Sequence, residues 1–345
     1  MTGGTTQIAV RTEGLGKSFG DIRAVDGLDL SIERGEIFGL VGSDGAGKTT
    51  TLRLLCGLLA PDEGTVEVAG IDVRRDPEQA RRRLGYLPQT FALHGDLTVA
   101  ENIAYFADLF CQPRAEVGER AERLLAATGL GEFTGRLARA LSGGMKQKAA
   151  LICALIHRPR VLLLDEPTRG VDPVSRRDLW RIVYGLPAEG VTVVVATPDA
   201  EEAERCARLG VIDRGRIVDV GTPAELVARH TEALVEIVAE DQRGAREALL
   251  GIENVRSVSA LGGELRVSVA APGPGAEELA RWLTEAGVKV RAARSVEPRL
   301  EDALLALEAR RDDESGWKPN LGRRGEAGPE DEAGPQPDLR DGRGG

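Results

Sequence analysis

The sequence predicts an α/β fold with a mostly parallel sheet, followed by a smaller α+β domain. Apolar segments of strand length alternate with helical segments as far as Ala228. A glycine-rich loop, Gly42 to Thr49, stands between a predicted strand and a predicted helix. Beyond Ala228 the pattern changes to short alternating strands around two helices. We therefore expect the 345 residues to comprise a disordered N-terminus at 1–7, the α/β domain at 8–230, the second domain at 231–310 and a disordered tail at 311–345.

The first part of the α/β domain is predicted to combine strands with two helices. Residues 8–41 should form short strands separated by turns, the last of which precedes the glycine-rich loop. A helix should follow from Thr49 to Leu59 and stop at Pro61. Strands are then expected to return over residues 66–87, around an arginine-rich helix at 77–83.

The middle of the chain predicts a helical subdomain at about 90–150. Apolar residues recur at three- and four-residue spacing through Val99 to Phe110 and through Val117 to Leu125. The run Val161 to Leu164 is continuously apolar, which is typical of a strand buried on both faces. The remaining elements expected in this domain are strands at 191–196, 209–213 and 216–220 and a helix at 174–185.

The second domain is predicted to have a ferredoxin-like order of elements. Two alternating segments flank Gly262-Gly263, which is a hairpin signal. Together with their neighbours they give the order β-α-β-β-α-β plus a terminal helix. The expected strands are 233–239, 255–260, 264–270 and 288–292, and the expected helices are 244–250, 276–286 and 300–309. The tail from Arg311 is rich in Gly, Pro and charged residues, which favours disorder.

Composition excludes several classes of partner and site. The net charge of −10 argues against non-specific binding to nucleic acid or to anionic lipid by the whole chain. The four cysteines are scattered without a C-x-x-C pair, so we expect buried free thiols rather than disulfides or a zinc site. The N-terminus does not resemble a signal peptide, and no segment approaches the roughly 20 apolar residues of a membrane span. The chain by itself is expected to be a soluble cytoplasmic protein.

The glycine-rich loop predicts a phosphate site. It fits the pattern G-x-x-x-x-G-K-[ST], in which backbone N–H groups and the helix N-terminus face the phosphates. Lys48 should contact the β- and γ-phosphates, and Thr49 should bind Mg²⁺. A chance glycine-rich turn is the alternative, and the flanking strand and helix disfavour it. The predicted phosphate-binding residues are Gly42, Ser43, Asp44, Gly45, Ala46, Gly47, Lys48, Thr49 and Thr50.

Two carboxylates follow the buried strand that ends at Leu164. Asp165 is placed to hold Mg²⁺ directly or through water. Glu166 is placed to orient or deprotonate an attacking water molecule. Taken alone, Asp165 could instead be the N-cap of a helix.

A second predicted anion site opens another helix. Ser142, Gly143 and Gly144 follow Leu141 and offer a hydroxyl group and free helical N–H groups. The alternative for this segment is a plain helix capped by serine.

Along the chain, the glycine-rich loop is followed by the Ser142 helix start and then by the Asp165-Glu166 strand end. In that order, the three motifs resemble the ATP-binding subunits of ABC transporters over about residues 8–230. The resemblance implies a P-loop ABC ATPase cassette with a mixed sheet and a helical subdomain. It also implies that Phe19 stacks on adenine, although Phe19 could be a core residue. Gln89 resembles the glutamine that contacts Mg²⁺ and catalytic water and senses the membrane subunit. The segment Gly170 to Pro173 resembles the D-loop of the family.

Variant residues narrow the resemblance to the daunorubicin-resistance type of ABC exporter ATPase. They are the Met-Lys-Gln-Lys that follows Gly144, the Gly170 to Pro173 segment and the segment Glu297 to Asp302. That group implies ATP and Mg²⁺, a separate transmembrane permease and a position on the cytoplasmic face of the membrane. It also implies a second cassette, in a homodimer or a heterodimer, whose Ser142 and Gly144 cap the shared nucleotide. It implies efflux of a hydrophobic drug or metabolite and no nucleic acid partner.

Two other classes of protein were weighed against this one. A soluble ABC ATPase acting on ribosomes or nucleic acid usually has two cassettes or a coiled coil, neither of which is expected here. A P-loop kinase would lack the helix that Ser142 opens.

Three residues depart from the usual family pattern. Pro198 stands where most relatives have the switch histidine, and proline offers neither a side-chain donor nor a backbone N–H. We therefore expect ATP binding to be kept and hydrolysis to be slow or to depend on another residue, unless Glu166 and Lys48 suffice. Asp44 replaces the usual asparagine and is expected to face away from the phosphates. Met145 replaces the usual glutamine, which should matter little.

Overall fold

The computed structural model describes residues 7–90, 93–270 and 272–315. The α/β part begins with two long strands and ends with an antiparallel pair. Its strands are Ile8–Phe19 (β1), Ile22–Glu33 (β2), Ile37–Val41 (β3), Glu63–Val68 (β4), Ile71–Asp72 (β5), Leu84–Leu87 (β6), Val161–Asp165 (β7), Thr192–Thr197 (β8), Arg208–Asp213 (β9) and Arg216–Gly221 (β10).

The helices of this part begin at polar caps that the sequence supplies. Thr98 and Thr222 each form a capping box with the glutamate three residues later. Asp172 caps a helix that starts with proline. The helices are Lys48–Leu55 (α1), Pro77–Arg82 (α2), Val99–Leu109 (α3), Arg114–Thr128 (α4), Gly143–Leu155 (α5), Pro173–Gly185 (α6), Ala200–Ala203 (α7) and Pro223–His230 (α8).

A six-stranded sheet in the order β10-β9-β3-β8-β7-β6 forms the centre of the α/β part. All neighbours are parallel except β10, which runs antiparallel to β9, so the predicted mostly parallel sheet is confirmed. Leu163 packs in the apolar cluster on one face, whereas Leu162 and Leu164 pack in the cluster on the other face. Burial on both faces explains why β7 is apolar at every position before Asp165.

A second, antiparallel sheet in the order β2-β1-β4-β5 packs over α1. Its first two strands have 12 residues each, so the expectation of short strands was wrong for this segment. The register of β1 on β2 shifts four times, and these irregularities produced the breaks in the sequence pattern. Helix α1 ends at Leu55 rather than Leu59, because the N–H groups of Leu58 and Leu59 both bond the carbonyl of Arg53 and close the helix.

Short helices and one exposed thiol also differ from expectation. Helices α7 and α8 were not predicted, because each is brief and its apolar face is narrow. Cys56, Cys153 and Cys206 are buried free thiols as expected, whereas Cys111 is exposed. In the described parts of the chain, no helix is both long and apolar enough to cross a membrane.

The C-terminal part has the predicted β-α-β-β-α-β order. Its sheet is antiparallel with the order β12-β13-β11-β14, and both helices cover one face. Strand β14 begins later than predicted, because the N–H of Val288 bonds the carbonyl of Leu283 and continues the turn after the helix. The elements are Ala233–Ala239 (β11), Gln242–Leu250 (α9), Val255–Leu261 (β12), Glu264–Val269 (β13), Ala276–Glu285 (α10), Val290–Val296 (β14) and Leu300–Ser315 (α11).

Helix α11 returns to the α/β part. Leu300 is buried in the apolar cluster that contains α5 and α6, and Leu304 and Leu307 pack against the same cluster. Asp302 accepts a hydrogen bond of 2.6 Å from Nη1 of Arg266, which also bonds Glu236. The helix continues past Arg311, where the disordered tail was predicted to begin, and residues 316–345 lie outside the described part. The domain boundary after residue 230 stays a prediction, although α8 ends at His230.

Replacing Asp302 by alanine is expected to destabilise the protein by about 3 kcal/mol, because a buried guanidinium loses a charged partner. The side chains of Arg266 and Asp302 are only 9% and 8% exposed. The measurement is the free energy of unfolding in denaturant. Glu301→Ala, at the exposed neighbouring position, is the control and should change the free energy by less than about 0.5 kcal/mol. Equal effects of the two substitutions would contradict a role for the buried pair.

Candidate nucleotide-binding site

The predicted phosphate loop connects β3 to α1 at the carboxyl edge of the six-stranded sheet. Two of its glycines leave no room for a side chain. A Cβ atom on Gly42 would lie 2.1 Å from the carbonyl oxygen of Ile212. One on Gly47, which has a φ of 107°, would lie 2.4 Å from the carbonyl oxygen of Ala24. The loop is therefore fixed against β9 and β2, with its backbone at a helix N-terminus where anions bind.

The side chain of Lys48 lies inside this loop and bonds its backbone. Its side chain is almost fully buried, with 4% of the residue exposed. Nζ donates hydrogen bonds of 2.7 Å to the carbonyl of Gly42 and 2.8 Å to that of Ser43. Burial lowers the pKa of Lys48, and the negative charges of Glu166, Asp44 and Asp165 oppose that effect. A cation held between two carbonyl acceptors is placed to exchange them for phosphate oxygens.

Asp165, at the end of β7, lies beside Thr49. The Thr49 hydroxyl donates a 3.0 Å bond to Oδ1 of Asp165, and the Tyr86 hydroxyl donates a 3.2 Å bond to Oδ2. Asp165 is completely buried, which raises its pKa, whereas the bonds from Thr49 and Tyr86 lower it. Asp165 caps no helix, since the next helix, α6, begins at Pro173 and is capped by Asp172, so the alternative for Asp165 is wrong.

The oxygens of Thr49 and Asp165 fit a Mg²⁺ ion. One hydroxyl group and one carboxylate are typical of the few protein ligands that Mg²⁺ takes beside substrate phosphates and water. No cluster of three or more His, Cys, Asp or Glu side chains suited to a metal lies in the described ranges. A sparse oxygen site of this kind favours a metal that arrives with a phosphate ligand.

Glu166 follows in a left-handed conformation, with a φ of 48°, which costs about 1–3 kcal/mol for a residue other than glycine. Its backbone N–H bonds the carbonyl of Ala196, and this bond ties it to the end of β8. Its Oε2 accepts bonds of 3.1 Å from Gln89 and 2.8 Å from Arg169. The structure thus brings two predicted catalytic residues, Glu166 and Gln89, into direct contact.

Phe19 lies at the end of β1 and is 48% exposed, so the alternative of a core residue is wrong. Its ring centroid lies 5.7 Å from Nζ of Lys17. An exposed aromatic ring is available for stacking, and its contact with adenine stays a prediction.

Ser142 caps α5, which begins with Gly143 and Gly144, and the contact of these residues with the nucleotide of a second chain stays a prediction. Ser142 accepts a 3.3 Å bond from the N–H of Met145, and it is exposed together with Gly143. Gly144 approaches α6 so closely that a Cβ atom would lie 2.4 Å from Oγ of Ser175. The segment therefore caps its own helix and keeps a free outer face.

Pro198 is exposed directly after β8, and the chain offers no imidazole in its place. Asp199 caps α7 by accepting bonds from Glu201 and Glu202. All three histidines lie elsewhere: His94 against Tyr105, His157 bonded to Leu84 and His230 bonded to Asp219.

Sequence reasoning missed two residues of the site, Tyr86 and Arg169. Arg169 stands three residues after Glu166, and its ion pair with Glu166 raises its own pKa. Tyr86 stands three residues before Gln89, at the end of β6. Each of these two residues lies three positions from a predicted site residue, and this closeness in sequence is the signal that could have identified them. Asp44 is exposed, and its charge raises the pKa values of Arg169 and Lys48, so its orientation away from the phosphates stays a prediction.

Comparison with known proteins agrees with this geometry. Residues 25–169 match the ABC transporter family. A probable multidrug ABC transporter ATP-binding protein of Escherichia coli is 41% identical over 65% of this chain, which spans 39% of that relative's length. The Nod factor export ATP-binding protein I of Ralstonia nicotianae is 41% identical over 71% of this chain and 77% of its own. The daunorubicin/doxorubicin resistance ATP-binding protein of Streptomyces peucetius is 39% identical over 70% of this chain and 73% of its own.

Solved structures show the same fold. An ATP-binding subunit of an ABC transporter superposes with a TM-score of 0.60 at 28% identity, covering 64% of this chain and 92% of that one. A dimeric ATP-binding cassette in a post-hydrolysis state, bound to ADP and Pi, gives 0.57 at 28% identity over 62% and 98% of the two chains. Fold and site together define an ATP-hydrolysing P-loop cassette. The chain belongs to the ATP-binding proteins of the ABC transporter family.

Replacing Tyr86 by phenylalanine is expected to move the acidic limb of the ATPase pH profile to higher pH. The substitution removes a bond that lowers the pKa of Asp165, and only the ionised carboxylate binds Mg²⁺. Turnover at acidic pH should fall about fivefold, the effect of one hydrogen bond worth about 1 kcal/mol, and recover at alkaline pH.

The measurement is the rate of phosphate release against pH at fixed Mg²⁺. Tyr184→Phe, on the exposed side of α6, is the matched control and should leave the profile in place. If turnover of the Tyr86→Phe variant fell by the same factor at every pH, this would contradict the assigned effect of the Tyr86 bond on the pKa of Asp165.

Proposed function

We propose that the chain is the ATPase subunit of an ABC exporter, and that two such cassettes close on ATP to drive a separate membrane permease. The observation that carries the proposal is the connected cluster at the carboxyl edge of the sheet. There Thr49 bonds Asp165, the neighbouring Glu166 bonds Gln89, and Lys48 lies within the loop above them.

Each residue of this cluster has a distinct proposed role. The backbone from Gly42 to Thr50 and the Lys48 ammonium group bind the phosphates of ATP. Thr49, Asp165 and Gln89 would hold Mg²⁺, which neutralises charge on the transferred phosphoryl group. Glu166 orients or accepts a proton from the attacking water. Gln89 and Arg169 both donate to Oε2 of Glu166, and neither of these bonds involves Oε1, the oxygen that we assign to the water.

The second cassette supplies the other face of the nucleotide. Ser142 and Gly143 are exposed at the start of a 13-residue helix, where backbone N–H groups favour a phosphate. A dimeric cassette among the similar solved structures supports this arrangement. We propose a homodimer, with the Ser142 segment of one chain over the Lys48 loop of the other.

Export of a hydrophobic drug or metabolite is the transport function we propose. Relatives named for multidrug transport, Nod factor export and daunorubicin resistance support it. The chain would then act on the cytoplasmic face of the membrane, bound to a permease encoded separately. The helical region of α3 and α4, which follows Gln89, is the proposed contact with that permease.

Glu166→Gln is expected to keep ATP binding, increase the ATP-bound dimer and lower turnover by about a hundredfold or more, because water loses its proton acceptor. Dimer formation is measured by size-exclusion chromatography with ATP, and turnover by phosphate release. Glu204→Gln, an exposed carboxylate beyond α7, is the matched control.

The tagged chain should also copurify a membrane permease. Recovery of ribosomes in place of a permease would contradict the transport function but not the ATPase assignment.

We further propose that Pro198 keeps hydrolysis slow, because position 198 carries no imidazole group that could act as a donor at the site of Glu166. Pro198→His should raise turnover about tenfold or more in the permease complex. Pro198→Ala removes the proline without adding a donor and should not reproduce the gain. A wild-type enzyme that is already fast, and that is unaffected by histidine, would contradict the proposal.

A further inference from the structure

A cleft lies at the edge of the six-stranded sheet opposite the nucleotide loop. Its lining includes Arg160 and Val191, which stand immediately before β7 and β8, whereas the loop is at the carboxyl ends of the strands. Helices α4 and α6 and the end of α5 form its walls. The cavity has a volume of about 850 Å³, which is in the range of sites for small molecules.

The cleft, which we call the arginine cleft, is lined by six arginine residues and by one acidic residue, Glu189. Two acidic residues at its margin offset part of the charge. Glu116 lies 3.6 Å from Nη1 of Arg158, and Asp178 lies 3.2 Å from Nη2 of Arg181. The surplus of positive charge is notable in a chain of net charge −10. The six arginines are Arg34, Arg120, Arg123, Arg158, Arg160 and Arg181.

Arg120 is the buried member of this group, with 3% of the residue exposed. Its Nη1 donates a hydrogen bond to the carbonyl of Ile156, and its Nη2 lies 3.8 Å from Glu116. Nε and Nη2 have no hydrogen-bond partner within the described structure. Burial lowers the pKa of Arg120, and the positive charges of Arg158 and Arg123 lower it further. A buried guanidinium that is incompletely paired carries a desolvation cost that an anion would relieve.

The backbone holds a second arginine at the cleft under strain. Arg158 has a φ of 54°, a left-handed conformation that costs about 1–3 kcal/mol for such a residue. It lies three residues after the end of α5, between the buried residues His157 and Pro159. Arg158 adds a positive charge to those of the other arginines of the cleft. Backbone strain at such a residue favours a binding role over a purely structural one.

We propose that the arginine cleft binds an anion carrying a phosphate or pyrophosphate group. Guanidinium groups match phosphate oxygens in paired hydrogen bonds, and several arginines around one cavity select a multiply charged anion over chloride. Leu124, Leu155 and Ile182 add apolar surface for the remainder of the ligand. The anion is a soluble phosphate compound or a phospholipid headgroup, and the two sources share this chemistry. The inference does not depend on the proposed transport function.

The test uses the full chain carrying Lys48→Ala, so that the nucleotide loop no longer contributes to phosphate binding. Pyrophosphate is titrated at low ionic strength in a calorimeter, and one saturable site per chain is expected. The double substitution Arg123→Gln and Arg181→Gln should weaken binding at least tenfold, because charge-assisted hydrogen bonds are lost. Both residues are exposed, so the fold should survive. Arg158→Gln provides an independent third variant.

The matched control is Arg75→Gln with Arg243→Gln, two exposed arginines outside the cleft that also pair with nearby carboxylates. It should bind pyrophosphate as tightly as the parent. A second arm measures flotation with phosphatidic acid vesicles against phosphatidylcholine vesicles. Binding of pyrophosphate without vesicles supports a soluble ligand, and binding of phosphatidic acid vesicles alone supports a headgroup. Binding of neither, or equal losses in the cleft and control variants, would overturn the proposal.

Discussion

Two opposite charges lie buried at one edge of the parallel sheet, and the site depends on how they are held. Lys48 is fixed by two carbonyl groups of its own loop, and Asp165 by the hydroxyl groups of Thr49 and Tyr86. Strand β8 lies between the strands that present them. Buried charges persist only with such partners. The tight glycine loop and the strand order are therefore conditions for the chemistry as well as for the fold.

The parts of this site that could be predicted from sequence are those that local chain geometry determines. A glycine-rich turn between a strand and a helix places Lys48 and Thr49 at a helix N-terminus in any protein that forms it. A fully apolar strand ending in two carboxylates likewise places Asp165 and Glu166 at the carboxyl edge of the sheet. The alternation of strands and helices was sufficient to predict the mostly parallel sheet. The hairpin signal at Gly262-Gly263 was sufficient to predict the order of elements in the second domain.

What could not be predicted depends on contacts between distant segments. Tyr86 bonds Asp165 across 79 positions of sequence, and no local pattern at Tyr86 indicates that partner. Arg169 is close to Glu166 in sequence, but only the left-handed backbone of Glu166 turns the two side chains together. The late start of β14 is a local exception, because the bond from the N–H of Val288 to the carbonyl of Leu283 extends the turn after α10. The arginine cleft collects residues from three helices and from the segments that follow β2 and precede β7 and β8. The overall composition therefore gives no sign of this local concentration of arginines.

The sheet order also has a consequence for biosynthesis. Strand β3, which precedes the nucleotide loop, pairs with β8 and β9, and Ile37 lies opposite Val193. Gly42 packs against Ile212, and the N–H of Gly215 bonds the carbonyl of Ala46. Pairings of such long sequence separation form late, because loop closure is entropically costly. During synthesis the loop emerges early, whereas the contacts that Ile212 and Gly215 make with it form only after those residues have left the ribosome.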